Sequence, residues 1–188
     1  MKPDITKTKK WTYEEYYKLD DDKRYEVLGG ELIMAPAPYS DHQEISFNLV
    51  ILFESARKDN PGKIFYAPID VIFDDNNVIQ PDILFIKKEN LFIRKKRGVF
   101  GSPDLVVEIL SPSSIKRDRY EKKEIYRKFG VKEYWIVDPA NLSIEVFLLE
   151  NEEYKLHSMA TENGEIKSYI LEGLVIEVEA VFPDEIND

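Results

Sequence analysis

A single carboxylate, Glu108, interrupts the otherwise apolar run LVVEIL at residues 105–110, and no other feature constrains the fold so tightly. In an extended strand Leu105, Val107 and Ile109 point to one face, and Val106, Glu108 and Leu110 to the other. A strand apolar on both faces is a buried strand, and a buried carboxylate needs a cation, a metal ion or a proton. Two readings follow. Glu108 is either half of a structural ion pair with a lysine or arginine of the next helix, or it is a metal ligand or catalytic acid.

The run opens a longer unit at residues 103–139: a buried strand, the polar turn Ser111, Pro112, Ser113, Ser114, a basic helix and a second buried strand, KEYWIVDP. The helix is expected over 117–129, stopped by Gly130. Asp118, Lys122 and Tyr126 recur at i, i+4 and i+8 and share one of its faces, while Ile125 and Phe129 form the expected apolar side.

Upstream, residues 1–10 read as a flexible polar arm. Thr12 with Glu15 resembles a capping box, predicting a short helix over 13–19. RYEVLGGELIMAP predicts a hairpin around Gly29 and Gly30, with Glu31 just past the turn. Ile45, Leu49, Leu52, Phe53 and Ala56 recur at helical spacing, predicting a helix over 42–58 with His42 and Glu44 in its first turn. A histidine there is a cap, a surface residue or a site residue. Three strands follow, the third over 78–86. Pro81 interrupts that strand: it cannot donate to a ladder, so the backbone must bend or bulge, and Asp82 enters the apolar region at the bend. Residues 87–101 form a basic excursion carrying Arg94, Lys95, Lys96 and Arg97. Beyond the central unit, SIEVFLLE and EYKLHSM predict a hairpin across Asn151 and Glu152, and the last segment ends in alternating apolar residues.

Charge bears on partners. The net charge of -10 argues against nucleic acid, but residues 87–132 carry 14 Lys+Arg against 6 Asp+Glu, a local excess of +8. Such an island, with Lys116, Arg117 and Arg119 on the helix, can hold a phosphate backbone; a solvated helix face and a charged loop is the plainer alternative. With 188 residues, one domain is expected. No apolar run approaches the ~18 residues of a membrane span, and the first residues lack a secretory pattern. The absence of cysteine fits a cytoplasmic protein without disulfides or thiolate metal sites.

Two carboxylates on neighbouring buried strands and a lysine on the adjacent helix suit magnesium or manganese, which take hard oxygen ligands. Pro103-Asp104 with Glu108 imitates such a set, but four residues along one strand separate the two carboxylates by about 13 Å. Asp82 is the better partner for Glu108. Here the chain resembles a known family. Pro81-Asp82 followed by Glu108 is similar to the PD-(D/E)XK nuclease pattern. The ordered series RYEVLGGELI, SDHQEI, VIQPDILFI, GSPDLVVEILSPSS, DRYEKKEIY and GVKEYWIVDP resembles the Uma-type family of restriction-endonuclease-like proteins.

The resemblance spans about residues 11–150 and implies an α/β (α+β) fold with a mixed, curved sheet flanked by helices, leaving 151–188 as a C-terminal strand extension. It implies Asp82 and Glu108 as ligands of Mg2+ or Mn2+. The superfamily's usual lysine position is Leu110, and Lys122 is the matching residue on the following helix. Glu31 matches the family's GEL segment, and with His42 and Tyr126 it is expected around the site. The expected activity is metal-dependent hydrolysis of DNA, by a homodimer if both strands are cut. The rival expectations are an inactive nucleic-acid- or partner-binding module, and an oligomer in which Glu108 and Lys122 are only an ion pair.

Overall fold

A computed structural model describes residues 9–35 and 37–183. Most of the expected flexible arm, residues 1–8, lies outside the described residues. The elements in chain order are α1 (Tyr13–Tyr17), β1 (Arg24–Leu28), β2 (Glu31–Ala35), α2 (Ser40–Ala56), β3 (Gly62–Tyr66), β4 (Val71–Asp74), β5 (Asn77–Ile79) and β6 (Ile83–Lys87). A 3-10 turn (Lys88–Ile93) leads into β7 (Arg94–Lys95), β8 (Gly98–Phe100) and β9 (Leu105–Ile109). A π-helical turn (Arg117–Lys122) then runs into α3 (Lys123–Phe129), followed by β10 (Glu133–Asp138), β11 (Ser143–Glu150), β12 (Glu153–Thr161), β13 (Glu165–Lys167) and β14 (Val175–Glu177).

Two mixed six-stranded sheets result, ordered β2-β1-β5-β4-β8-β7 and β12-β11-β10-β9-β6-β3. The expected mixed α+β architecture, with sheets flanked by helices, is what forms. β9 and β10 run parallel, joined by the turn and helix between them, because parallel neighbours need a crossover rather than a tight turn. The two faces of β9 are used as its alternation requires. Leu105, Val107 and Ile109 pack with Ile45, Leu49 and Phe53 of α2 in one core cluster. Val106 and Leu110 join Tyr126, Tyr134 and the first sheet's Val71, Ile79 and Val99 in a second. Glu108 therefore points into the layer between the sheets.

Three expectations are refined by the structure. The strand expected over 78–86 is two strands in different sheets, β5 and β6, and Gln80, Pro81 and Asp82 are the step between them. A proline without an N–H ends one ladder, and the chain leaves for the other. The helix over 117–129 does not bury Ile125 and Phe129 as its inner side: both are half-buried, while Asp118, Lys122 and Tyr126 are the buried stripe. The face turns inward because Lys122 meets Glu26 and Glu108 there and Tyr126 donates to Glu108. The C-terminal alternation gives only the short pair β13–β14. The intervening loop is held by Glu133, whose carboxylate accepts from Trp135 Nε1, Ser168 Oγ and the Tyr169 and Ile170 amides at 2.6–2.7 Å.

Candidate active site

The inward-facing stripe of the π turn meets β9 and β1. Lys122 Nζ lies 3.0 and 3.1 Å from the two oxygens of Glu108, 2.9 Å from Glu26 Oε1 on β1 and 3.5 Å from Asp118 Oδ1. The Tyr126 hydroxyl donates a short hydrogen bond to Glu108 Oε1. The π turn widens the helix, so residues four apart stack nearly in line and present both Asp118 and Lys122 to the same neighbours; such turns recur at functional sites. All four charged side chains are buried.

Asp82 reaches the same place from the step between the sheets. Its Oδ2 accepts the amide of Ile109 at 2.7 Å, the residue after Glu108, and its Oδ1 lies 3.3 Å from His42 Nε2 in the first turn of α2. Asp82, Glu108, Lys122, His42, Glu26 and Asp118 thus line one cavity of about 950 Å³. Among the described residues, the buried side-chain polar atoms without a hydrogen-bond partner are His42 Nδ1, Arg117 Nε and Asp118 Oδ1, and all three residues line this cavity.

The electrostatics are unbalanced. Burial pushes Glu108 well above the ordinary glutamate range, Lys122 pulls it down, and Asp118, Asp82 and Glu26 push it up again. Asp118 is raised mainly by burial. Burial alone would lower Lys122, but Glu108, Glu26 and Asp118 together hold it well above the ordinary lysine value. We take the lysine as charged throughout and the carboxylates as sharing an excess of negative charge that a proton or a cation relieves. His42 is lowered by burial, yet its contact with Asp82 leaves it raised overall.

The other sequence-derived candidates are distributed differently. Glu31 is exposed at the start of β2 and is not among the residues lining the cavity. Glu26, on the paired strand, takes the buried place because its position in the pleat faces inward. Glu26 carried the same signal as Glu108, a lone carboxylate in an apolar strand. Arg94, Lys95, Lys96 and Arg97 are exposed on the β7–β8 hairpin, away from the cavity lining. Lys116 is exposed beside Glu121, at 3.7 Å. Arg117 lines the cavity. Arg119 pairs with Asp138 and Glu145, at 3.1 and 2.7 Å, and ties the helix to the sheet. Asp104 caps the chain by accepting from the Lys87 amide and Asn90 Nδ2, both at 2.7 Å, which accounts for the misleading Pro103-Asp104 pair.

The donor set can be tested against a metal ion. Among the described residues, no three His, Asp or Glu side chains are grouped so as to hold an ion by themselves. Magnesium takes one or two carboxylates and completes its shell with water and phosphate. Asp82 accepts the β9 amide next to Glu108, and each carboxylate keeps lone pairs beyond those its present partners occupy. With Asp118 Oδ1 beside them, 3.5 Å from Lys122 Nζ and without a hydrogen bond, the chemistry fits a hard divalent cation.

Comparison with known proteins agrees with this architecture. A crystal structure described as “a putative nuclease belonging to DUF820” from Anabaena variabilis superposes with a TM-score of 0.75 at 20% identity, covering 91% of this chain and 97% of that one. At that identity the likeness concerns the fold. Residues 13–179 match the family described as “Uma2: Putative restriction endonuclease”, and the chain belongs to that family. It is also 25% identical over 168 residues, 87% of its length and 95% of the relative's, to the uncharacterised protein sll1609 of Synechocystis sp..

Proposed function

We propose that this chain hydrolyses phosphodiester bonds of DNA with Mg2+ or Mn2+ held by Asp82 and Glu108. The observation that carries this reading is the convergence of Asp82, Glu108 and Lys122, from a sheet-to-sheet step, a strand and a helix, on one acidic cavity in a chain of this family. The ion, when bound, supplies Lewis acidity to the phosphoryl group and strengthens water as a nucleophile. Tyr126 fixes one oxygen of Glu108 and Lys122 holds both, so the carboxylate is preorganised. The Lys122 ammonium offsets charge developing on the phosphate, and His42 fixes the direction of Asp82. Arg117, with Nε unpartnered at the cavity, offers a donor to a phosphate oxygen.

The test is cleavage of mixed DNA substrates with magnesium or manganese by the wild type and Asp82→Ala. The variant should lose at least a hundredfold in rate; equal cleavage by both proteins removes the assignment. Cutting both strands of a duplex would call for two chains related by symmetry, which the mass in solution reports.

A second reading has an observation of its own. The Lys122 charge is already shared among Glu26, Glu108 and Asp118, as in a buried structural network. On that reading the chain binds nucleic acid or a partner without catalysis. Binding of magnesium to the folded state alone should raise the melting temperature, by the equivalent of about 2.7 kcal/mol at a hundred times Kd. A melting temperature flat across the titration favours the non-catalytic module.

A further inference from the structure

The mouth of the cavity differs in kind from its floor. Ala37, Pro38 and Tyr39, leading into α2, and Pro112 and Ile115, from the turn after β9, give it an apolar rim. Tyr39 is 75% exposed and Ile115 44%. Scattered exposed apolar residues are ordinary, but Tyr39 has a second peculiarity. It occupies the N-cap of α2 and makes no side-chain cap hydrogen bond, at a position where Ser, Thr, Asp or Asn would stabilise the helix. The tyrosine side chain supplies the helix with no cap hydrogen bond.

Charge at the cavity points the same way. Its lining carries six carboxylates (Glu26, Asp41, Asp82, Glu108, Asp118 and Asp138) against Arg24, Arg117 and Lys122. The exposed cluster Arg94–Lys95 with Lys96 and Arg97 lies on the last strand of the first sheet, four strand spacings from β1, or about 19 Å. A duplex, gripped chiefly through phosphates, finds little purchase at this mouth. An unpaired strand draws affinity from stacking its bases on aromatic side chains, which needs no dense array of cations.

We propose that the substrate enters as an unpaired strand, with one base stacked on Tyr39 against the apolar rim and the adjoining phosphate on the acidic floor. The floor's role rests on the hydrolytic reading above; the preference for unpaired bases does not. The test measures fluorescence anisotropy of a labelled single-stranded oligonucleotide and of the blunt duplex of the same sequence, with calcium in place of magnesium. Cleavage of both is followed separately in magnesium.

The wild type should bind the single strand at least tenfold more tightly than the duplex. Tyr39→Ala should weaken single-strand binding about tenfold, leave duplex binding unchanged and leave the melting temperature in place. Tyr39→Phe should retain the preference, since stacking needs the ring and not the hydroxyl. Equal affinity for the two forms, or indifference to Tyr39→Ala, overturns the inference. A single-strand preference lost in Tyr39→Ala, with neither form cleaved, keeps the inference and removes the hydrolytic reading. Cleavage of both forms at equal rates, with equal binding, does the reverse.

Discussion

At the scale of single residues, the site is held together against its own charge. Lys122 is one cation among Glu26, Glu108 and Asp118, all buried. Removing it with Lys122→Met leaves several uncompensated carboxylates, and breaking a buried pair in this way costs about 3–5 kcal/mol. Glu108→Gln should act in the opposite sense, because a neutral isostere lowers the negative excess while Lys122 keeps Glu26 and Asp118. The pH dependence fixes the sign. Burial raises Glu108 above 4.5, so its favourable contribution is present below that value and is lost as pH rises through the folded-state value. Glu108→Gln should therefore be more stable than wild type at pH 8, with the difference shrinking towards pH 5, while the DNA cleavage proposed above should be lost. Chemical denaturation of both variants at the two pH values checks this, and a Glu108→Gln protein less stable than wild type at pH 8 contradicts it.

At the scale of elements, the sequence made the site legible where one-dimensional patterns coincide with burial. The alternation in LVVEIL correctly assigned the faces of β9, and the i, i+4, i+8 spacing put Asp118, Lys122 and Tyr126 on one face. The inward turn was legible at Lys122, expected opposite Glu108, but not at Asp118, because a carboxylate brought beside buried carboxylates depends on a shared lysine that only the folded contacts show. Pro81 announced a bend, but that it moves the chain between two sheets depends on strand neighbours distant in sequence. Glu133 shows the same limit: it reads as the first residue of a strand, yet it is a clamp for the C-terminal loop. Glu133→Gln replaces one accepting oxygen with a donor that faces N–H or O–H groups, so it should cost about 2–3 kcal/mol. Hydrogen exchange should then show the amides of Tyr169 and Ile170 opening first; unchanged protection there would count against the clamp.

At the scale of the molecule, the two sheets share a core. Leu28, Val71, Ile79 and Val99 of the first pack in one cluster with Leu84, Val106, Tyr134 and Ile136 of the second. We expect one unit that unfolds in a single cooperative transition, with near-ultraviolet and far-ultraviolet signals coincident in denaturant. Two separated transitions would divide the chain. The charge distribution also changes meaning at this scale. The basic island of residues 87–132 is contiguous in sequence but dispersed in space: one part lies on the β7–β8 hairpin, Arg119 is tied to Asp138 and Glu145, and Lys122 is buried. A local charge sum could not show that.

The sequence by itself determined that residues 105–109 form a buried strand, where a carboxylate stands among apolar neighbours, and that the chain must bend at Pro81. Those are properties of alternation and spacing, which a chain carries before it folds. Only the tertiary structure decided that Glu26 and not Glu31 faces the cavity, that Arg119 is already paired, and that the lysine opposite Glu108 is surrounded by further carboxylates. Contacts between elements far apart in sequence are fixed by which faces bury each other, and charge is compensated only after those faces meet.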